Sequence, residues 1–347
     1  MKMNVIQPVR GRFDFVDADA LYAFAQQNGL EFRGHPLVWH TQAANWLEEE
    51  GVDRDTTLAI MYEHMDGLMG HFPDLPYWDV VNEAIERNSE GVWTFRDTFW
   101  HRMIGDDLID LAFLHARALD PDAKLLYNDY NIEQLGHPKA DKVFEMISDM
   151  KARGIPIDAV GFQSHYYVEP NGNTNPGVPN IQAIRDNMAR YAAIGVDVHI
   201  TECDFRIGRP LDPTKEELQK SFFAGLLQAC IDAPNCSHFT VWGLSDVDSW
   251  VPSTFPDYDY AHLFDAQIVA KPAYAALTTV LAQYNPDGTP IGSGGGPTST
   301  GGTPSTGGTP STGGAPSTAG GSRDDGGCSV GPRSNTLWPA FLLSVLG

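Results

Sequence analysis

The chain has 347 residues and a formal net charge of −22, from 23 lysine and arginine residues against 45 aspartate and glutamate residues. This balance argues against a nucleic-acid partner, which needs a clustered basic surface, whereas a neutral or acidic polymer remains possible. With 42% hydrophobic residues, the length suits one large domain such as an α/β barrel.

Helices and strands alternate along the chain. The first helix is bounded by a capping Asp17 and by Gly29, which are the start and stop signals of a helix. The predicted helices lie at 17–28, 55–70, 103–119, 137–153, 180–194, 214–232 and 271–284. Between them, short apolar or β-branched runs predict strands at 30–40, 77–86, 123–129, 157–165, 196–205 and 238–242. Such strict alternation is typical of a parallel sheet covered by helices, either doubly wound or closed into a barrel.

A polar or aromatic side chain follows nearly every predicted strand, namely His40, Glu83, Asn128, His165, Glu202 and Trp242. A barrel brings the ends of all its parallel strands to one face. A doubly wound sheet binds ligands mainly at one switch point, and this sequence has no glycine-rich phosphate loop. The sequence therefore predicts a (β/α)8 barrel. Because six strands are found where eight are needed, we expect the chain to begin inside the barrel, without its first strand and helix, and residues 1–7 to end the second strand.

Two of the predicted strands end in a glutamate. One apolar run closes on Asn82 and Glu83, and another closes on Glu202. A carboxylate at the exit of a buried strand is costly unless it is paired or used, so both glutamates are site candidates, with a structural ion pair as the alternative. At one barrel mouth they would meet the need of glycoside hydrolysis. One carboxylic acid protonates the departing sugar oxygen, while one carboxylate attacks or activates water on the other face.

The four cysteines predict one disulfide. Cys230 and Cys236 are separated by five residues that include Pro234 and Asn235, a tight loop that a disulfide would close in an exported protein. Cys203 follows the second glutamate along its strand and is expected to point the opposite way, as a small buried side chain. The spacing fits neither a zinc site nor a redox motif, so no metal and no cofactor are predicted. Residues 1–10 contain no apolar export signal, as the expected start inside the barrel would explain.

The composition changes after residue 287. Residues 1–287 form the predicted catalytic barrel, and 288–321 form a predicted flexible linker, rich in glycine, serine, threonine and proline, in which Thr-Pro-Ser-Thr-Gly-Gly recurs. The remaining tail, 322–347, contains Cys328 and an apolar run at 337–346 that is too short to span a bilayer comfortably. This tail weakly resembles the cysteine-containing sorting tails of myxobacterial surface proteins, and a disordered tail is the alternative.

The sequence motifs resemble one enzyme family. In chain order they are Met1-Lys2, GRFDF at 11–15, RGHPLVWHTQ at 33–42, WDVVNEAI at 78–85, YNDYN at 127–131, GFQSHY at 161–166, HITECD at 199–204, WGLSDVDSW at 242–250 and LFDAQIVAKPAY at 263–274. Their order and spacing resemble the endo-β-1,4-xylanases of glycoside hydrolase family ten, over about residues 1–285. The resemblance implies endo-acting, retaining hydrolysis of xylan or xylo-oligosaccharides without a cofactor. We also expect a monomeric bacterial protein that acts outside the cell or on its surface.

The resemblance also assigns roles to residues. Glu83 would be the general acid and then the base, and Glu202 the nucleophile that forms a covalent glycosyl intermediate, with the two carboxyl groups about 5 to 5.5 Å apart. Glu83 must therefore hold a proton while Glu202 stays ionised. His165 would donate a hydrogen bond to Glu202, with Gln163 on the same strand face, and Asn82 would bind the sugar 2-hydroxyl.

The remaining predicted substrate contacts surround this pair. The resemblance places four of them on the glycone side of the cleaved bond, which are Lys2, His35, Trp39 and Gln42. Trp242 and Trp250 would wall the reacting sugar. Asn128 and Tyr130 would border the aglycone side or support the acid.

The sequence departs from the family pattern in three places. Family members carry a sugar-contacting Glu-Asn pair before the Met-Lys motif, and this sequence opens on Met1-Lys2. Cys203 replaces the more usual leucine, and His262 lies in a usually apolar stretch. Two other functions therefore stay open, namely a different β-1,4-glycanase such as a cellulase or mannanase, and a non-catalytic surface protein that binds polysaccharide. Trp39, Gln42 and the segment 242–250 favour xylan.

Overall fold

The computed structural model describes residues 1–50, 53–174, 177–285 and 289–291. Its strands are β1 (Arg33–Gly34), β2 (Tyr77–Asn82), β3 (Ile85–Arg87), β4 (Trp93–Phe95), β5 (Lys124–Asp129), β6 (Ala159–Phe162), β7 (His165–Val168), β8 (Asp197–Gly208), β9 (Cys236–Val241) and β10 (Tyr258–Asp259). Its helices are α1 (Met3–Ile6), α2 (Val16–Gln27), α3 (Leu47–Glu50), α4 (Arg54–His71), α5 (Phe99–Ile104), α6 (Leu108–Leu119), α7 (Pro138–Ala152), α8 (Ile181–Ala193), α9 (Pro213–Asp232), α10 (Val251–Thr254) and α11 (Pro272–Leu281), with a 3-10 turn at Asp246–Asp248.

Six of the described strands form one parallel sheet, in the order β1, β2, β5, β6, β8 and β9. At least one helix lies between each successive pair of these strands along the chain. The sheet curls: Arg33 in β1 comes within 3.4 Å of His199 in β8, and Glu31, just before β1, lies 3.5 Å from His238 in β9. The predicted (β/α)8 barrel architecture is confirmed. Because the strands are parallel, their carboxyl ends open on one rim.

The strands of this sheet are buried on both faces. In β2, Trp78, Val80 and Val81 are at most 2% exposed, because one face lies inside the curled sheet and the other lies under the helices. Trp78 has room only because Gly34 lies beside it, since a Cβ at that position would overlap the indole ring. Burying each large apolar side chain contributes roughly 1.5–3 kcal/mol, so this layer is a rigid support for the side chains at the strand ends.

Three predicted strands are longer than the observed ones. The strand predicted at 77–86 ends at Asn82 in β2, and Ile85 and Glu86 belong to β3. The strand predicted at 30–40 is reduced to β1 and one isolated bridge between Val38 and Val81, because Pro36 has no N–H group to give to a ladder. The strand predicted at 157–165 divides into β6 and β7. The chain turns between them at Ser164, whose φ is 65°.

The helix predicted at 103–119 is also wrong in its extent. It is divided into α5 and α6, because Gly105, at a φ of 99°, ends the first of them. Helix α2 begins at Val16, whose N–H donates to Asp14 Oδ1 at 3.2 Å. Asp17 therefore lies in the first turn rather than at the cap, where its charge still favours the helix N-terminus.

Residues 1–7 do not end a strand. The carbonyl of Lys2 accepts hydrogen bonds from the N–H groups of Val5 and Ile6 at 3.0 and 2.9 Å, which closes the single turn α1. A short hairpin of β3 and β4, which the sequence patterns did not predict, follows directly after Glu83.

The predicted disulfide between Cys230 and Cys236 is confirmed, and it joins the end of α9 to the start of β9. Cys203 is buried, as predicted. Among the described helices, none is long and apolar enough to cross a bilayer, and the described residues contain no cluster of three or more candidate metal ligands. The predicted linker at 288–321, apart from 289–291, and the predicted tail at 322–347 lie outside the described residues.

Candidate active site

The two glutamates lie on the same rim of the curled sheet. Glu83 follows the end of β2, and its N–H donates to Asn128 O at 2.9 Å. Glu202 lies in β8, and its N–H donates to Gln163 O at 3.1 Å. The backbone of β5 therefore holds Glu83, and the backbone of the residue after β6 holds Glu202. The sheet itself sets the positions of both Cα atoms.

A short chain of side-chain hydrogen bonds joins the two carboxyl groups. Asn82 Nδ2 donates to Glu83 Oε1 at 3.3 Å. Asn128 Nδ2 donates to Asn82 Oδ1 at 2.9 Å and to Glu202 Oε1 at 2.7 Å. Gln163 Nε2 donates to Glu83 Oε1 at 3.0 Å and to Asn82 Oδ1 at 3.3 Å. The structure thus brings five predicted site residues into one polar cluster, which spans the gap between two carboxyl groups 119 positions apart in sequence.

Asn128 is fully buried and is held on two sides. Thr201 Oγ1 donates to Asn128 Oδ1 at 2.7 Å, which leaves the amide NH2 to face Glu202. Gly161 in β6 provides the room, because a Cβ there would overlap Asn128 Oδ1 and lie 2.9 Å from Thr201 Cγ2. Thr201 and Gly161 were not predicted as site residues, although both lie inside the motifs that carry the family resemblance.

Glu202 is 5% exposed and is held as a carboxylate. Burial acts to raise its pKa, but the hydrogen bonds from His165 and Asn128 and the positive potential around it outweigh burial. The pKa of Glu202 therefore lies below its ordinary value. At neutral pH this group is ionised, and its Oε2 atom lies 3.3 Å from His165 Nε2.

His165 links Glu202 to a second carboxylate, Asp204. The Nδ1 atom of His165 lies 3.0 Å from Asp204 Oδ2, and Trp250 Nε1 donates to the same oxygen at 2.8 Å. Burial acts to lower the pKa of His165, but the charges and hydrogen bonds of Asp204 and Glu202 outweigh it and raise that pKa to about 10. Asp204 was missed as a site residue. Its position two residues after Glu202, on the same strand face, is the signal that would have found it.

The backbone of Glu83 is strained. Its φ of 58° lies in the left-handed region, which is rare for a glutamate and is typical of functional positions. Arg96 Nε donates to Glu83 O at 2.8 Å, and Tyr127 Oη accepts the next N–H, that of Ala84, at 3.0 Å. These contacts hold the strained turn and aim the side chain across the barrel mouth.

Glu83 is partly exposed, whereas Glu202 is buried. Trp39 Nε1 donates to Glu83 Oε2 at 3.1 Å, in addition to the bond from Gln163. Trp39 is itself fixed, because Trp100 Nε1 donates to its carbonyl oxygen at 3.1 Å. Each oxygen of the Glu83 carboxyl group therefore has a neutral donor.

A buried ion pair supports the Glu83 side of the site. Lys139 Nζ donates to Asp129 Oδ1 at 2.6 Å, and both side chains are fully buried. The same ammonium lies 3.6 Å from the centre of the Tyr130 ring, whose Oη accepts from Arg96 Nη2 at 3.0 Å. Tyr130 is therefore connected to Glu83 through Arg96. Arg96, Asp129 and Lys139 were also missed, because only the fold brings them under the Glu83 turn.

The other predicted contacts form an aromatic and basic wall. Lys2 Nζ lies 5.7 Å from the Trp39 ring centre and 5.5 Å from that of Trp242. The His35 ring lies 5.6 Å from Trp242 and 6.2 Å from Trp39. Gln42 lines a cavity of about 590 Å³ formed by residues between 40 and 48, by Glu86 and by residues between 96 and 102.

A comparison with models of protein families shows which family the chain belongs to. The model of glycosyl hydrolase family 10 matches residues 1–280. The chain belongs to glycosyl hydrolase family 10. This confirms the family resemblance carried by the sequence motifs.

Relatives within family 10 are similar over most of the chain. Endo-1,4-beta-xylanase 1 of Humicola insolens is 38% identical over 283 residues, which are 81% of this chain and 63% of that protein. Endo-1,4-beta-xylanase A of Fusarium oxysporum is 37% identical over 282 residues, 81% of this chain and 85% of the relative. The chain therefore spans less than two thirds of the length of the Humicola protein.

A solved family 10 structure has the same fold. Xylanase 10B from Thermotoga petrophila, crystallised in complex with xylobiose, superposes with a TM-score of 0.75 at 34% sequence identity. The match covers 81% of this chain and 83% of that one. The curled parallel sheet described above is thus a family 10 barrel.

Proposed function

We propose that this protein is an endo-1,4-β-xylanase, which hydrolyses β-1,4-xylosidic bonds within xylan and retains the anomeric configuration. The observation that carries the proposal is the pairing of two unlike carboxyl groups in one polar cluster. Glu202 is buried, ionised and bound to an imidazolium, whereas Glu83 is partly exposed and bound to neutral donors. Two environments of this kind suit a nucleophile and a proton donor. Membership of family 10 and the xylanase names of the relatives support xylan as the substrate.

In the first step, an oxygen of Glu202 attacks the anomeric carbon of the sugar before the cleaved bond. The glycosidic C–O bond breaks as Glu83 gives its proton to the departing oxygen, and a glycosyl ester of Glu202 forms. His165 stabilises the carboxylate before attack, and Asn82 is placed to bind the 2-hydroxyl group. In a retaining enzyme, the two carboxyl groups lie about 5 to 5.5 Å apart.

In the second step, water attacks the same anomeric carbon from the side that the leaving group has vacated. Glu83, now a carboxylate, takes a proton from that water, and the ester bond breaks to release Glu202. Two inversions at one carbon give net retention. Every proton and bond is accounted for by the two glutamates and water, so the step needs no cofactor.

The aromatic and basic wall is proposed to bind the glycone sugars. Trp39 and Trp242 flank the Lys2 ammonium, which would donate to sugar hydroxyls, and His35 lies against the same two rings. Trp250, fixed by Asp204, would complete the wall around the reacting sugar, and Gln42 would contact a sugar farther out. Asn128 and Tyr130 would support the two carboxyl groups from below.

The biological setting is part of the same proposal. We propose a monomeric bacterial protein, outside the cell or on its surface, without a nucleic-acid partner. The disulfide between Cys230 and Cys236 supports an oxidising location, and the net charge of −22 argues against nucleic acid. A barrel at 1–287, a linker at 288–321 and a sorting tail at 322–347 are the proposed organisation.

The test compares the release of reducing ends from xylan, cellulose and mannan. Xylan is expected to be the best substrate, and NMR of the first product formed should show the β-anomer. Xylan as the poorest of the three substrates, or an α-anomer as the first product, would overturn the proposal. Binding to xylan without cleavage would favour a polysaccharide-binding protein.

A further inference from the structure

Asp204, Ser245 and His262 carry buried polar atoms that have no hydrogen-bond partner among the described residues. These atoms are Oδ1 of Asp204, Oγ of Ser245 and both ring nitrogens of His262. Asp204 and Ser245 are fully buried, and His262 is 1% exposed. Buried polar atoms almost always have a protein or water partner, so these three side chains require an explanation.

Backbone hydrogen bonds hold the three segments together. Phe205 N–H donates to Ala261 O at 3.1 Å, which joins β8 to the segment that carries residue 262. Phe264 N–H donates to Leu244 O at 3.2 Å, and Ser245 forms a parallel bridge with Phe264. The side chains at 204, 245 and 262 therefore arise from three adjoining stretches of chain.

The ring of His262 lies against Gly243, the residue that follows Trp242. A Cβ at Gly243 would lie 2.8 Å from His262 Cε1 and 2.9 Å from its Nε2. The φ of Gly243 is 140°, a conformation that suits glycine. The imidazole thus fills the space of a side chain directly behind the proposed sugar wall.

The charge state of His262 follows from its neighbours. Burial lowers its pKa and outweighs the carboxylates of Asp204 and Asp246, while the cations Lys271 and His165 act in the same direction as burial. The ammonium of Lys271 is occupied by Asp246, at 3.1 Å. His262 is therefore neutral at pH 7, with one nitrogen that donates and one that accepts.

We propose that His262 is a positioning residue for the nucleophile. Its ring N–H donates to a buried water, which also bonds Ser245 Oγ and itself donates to Asp204 Oδ1. About three polar partners are usual for a buried water. Because the other oxygen of Asp204 already faces His165 and Trp250, this water completes the hydrogen bonding of the carboxylate. The inference rests on the proposed role of Glu202.

Asp204 is linked to Glu202 through His165. Without the water, Asp204 would be held through Oδ2 alone, so its ion pair with His165 would be less well fixed. The hydrogen bond from His165 to Glu202 would weaken in turn, and the depressed pKa of Glu202 would rise. The acid limb of the pH profile of kcat/KM would therefore move to higher pH.

Two substitutions of His262 separate its hydrogen bond from its volume. His262→Leu keeps an apolar side chain of similar size and removes both nitrogens, whereas His262→Gln keeps an N–H donor. For H262L, we expect kcat on xylan to fall about 10-fold, with KM changed less than about 2-fold and the acid limb raised by about 0.5 pH. H262Q is expected to recover most of this loss. Equal losses in both variants would favour a purely structural role and overturn the proposal.

NMR of ¹⁵N-labelled histidines gives a readout that does not depend on catalysis. In H262L, the pKa of His165 is expected to fall by about 0.5 from its value in the parent protein, because the Asp204 charge is less well placed. An unchanged His165 titration overturns the inference. A changed titration in a parent protein that does not cleave xylan would sustain the positioning role and reject the proposed function.

Ser245→Ala provides a second, milder variant should H262L fail to fold. It removes one hydroxyl group from the same water site and leaves the imidazole in place. We expect its acid limb and its His165 titration to move in the same direction as in H262L, by about half as much. Parent-like values for both quantities in S245A overturn the inference independently.

Discussion

The two halves of the site hold the same functional group in different ways. Glu202 lies within β8, is 5% exposed and meets a protonated histidine. Glu83 lies just past the end of its strand, in a left-handed backbone conformation, and meets the neutral donors Trp39 and Gln163. The surroundings of Glu202 keep its carboxylate ionised, and those of Glu83 fix the orientation of its side chain.

This difference suits the separate tasks that the proposed mechanism gives the two glutamates. A buried carboxylate that receives charge-assisted hydrogen bonds keeps its charge despite burial. A proton donor must exchange its proton with water and the leaving group, so it needs access to solvent and a fixed orientation more than a fixed charge. The strained backbone at Glu83, held by Arg96 and Tyr127, provides that orientation.

The largest expected effect is on the Glu202 half. Glu202→Ala removes the attacking oxygen and should lower kcat on xylan by at least about 10⁴-fold. Glu217→Ala, which changes an exposed glutamate paired with Lys220, is the matched control and should retain the parent activity. Release of reducing ends by E202A at the parent rate would refute the proposed mechanism.

The Glu83 half should show a loss that depends on the leaving group. Glu83→Gln removes the proton donor and should lower the rate on xylan by roughly 10² to 10⁴-fold. On an aryl xylobioside with an acidic phenol as leaving group, the first step needs no proton and its rate should fall far less. An equal loss on both substrates would show that Glu83 is not the acid.

The amide of Asn128, which joins the two halves, can be displaced by a larger side chain at position 161. Gly161→Ala would push its new Cβ into Asn128, and a displacement near 1 Å can cost on the order of 10²-fold in kcat. Gly225→Ala is the control, because its Cβ would lie 3.5 Å from Ile181 in ordinary contact. Equal activity in the two variants would mean that Asn128 does not align the carboxyl groups.

The charge on the Glu202 half also predicts a pH dependence of stability. The pKa of His165 is raised from 6.5 to about 10, so the stabilisation from its imidazolium is fully present below pH 6.5 and is lost as the pH rises through about 10. The free energy of unfolding of His165→Gln should be lower than that of the parent by about 1.5–3 kcal/mol at pH 6. Urea titrations should find this difference smaller at pH 10, and a difference that grows with pH would contradict the assignment.

Removal of the Thr201 hydroxyl group, which donates to Asn128, is expected to have the smallest effect. Thr201→Val keeps the shape of the side chain and removes one hydrogen bond, which is worth about 1 kcal/mol and corresponds to roughly 5-fold in kcat. KM should stay within about 2-fold of the parent value. A loss as large as that of G161A would show that the hydroxyl, rather than the space beside Gly161, positions Asn128.

Much of the fold follows from local sequence patterns. Alternating helices and apolar strands predicted the barrel, and the polar residues at strand ends predicted one functional rim, because both patterns report burial directly. The disulfide between Cys230 and Cys236 was also predicted from spacing. Element ends were predicted less well, since Pro36, Ser164 and Gly105 interrupt segments that the sequence patterns predict as single elements.

The sequence by itself determined the alternation of elements, the two glutamates and the family. Only the tertiary structure decided which side chains meet them, such as Asp204 behind His165 and Arg96 beneath Glu83. The physical reason is distance along the chain: periodicity and capping act over a few residues, whereas the charge on Glu202 and the orientation of Glu83 depend on groups brought together from separate strands. The spacing of Asp204 from Glu202 is visible in the sequence, but its pairing with His165 depends on the register of two neighbouring strands.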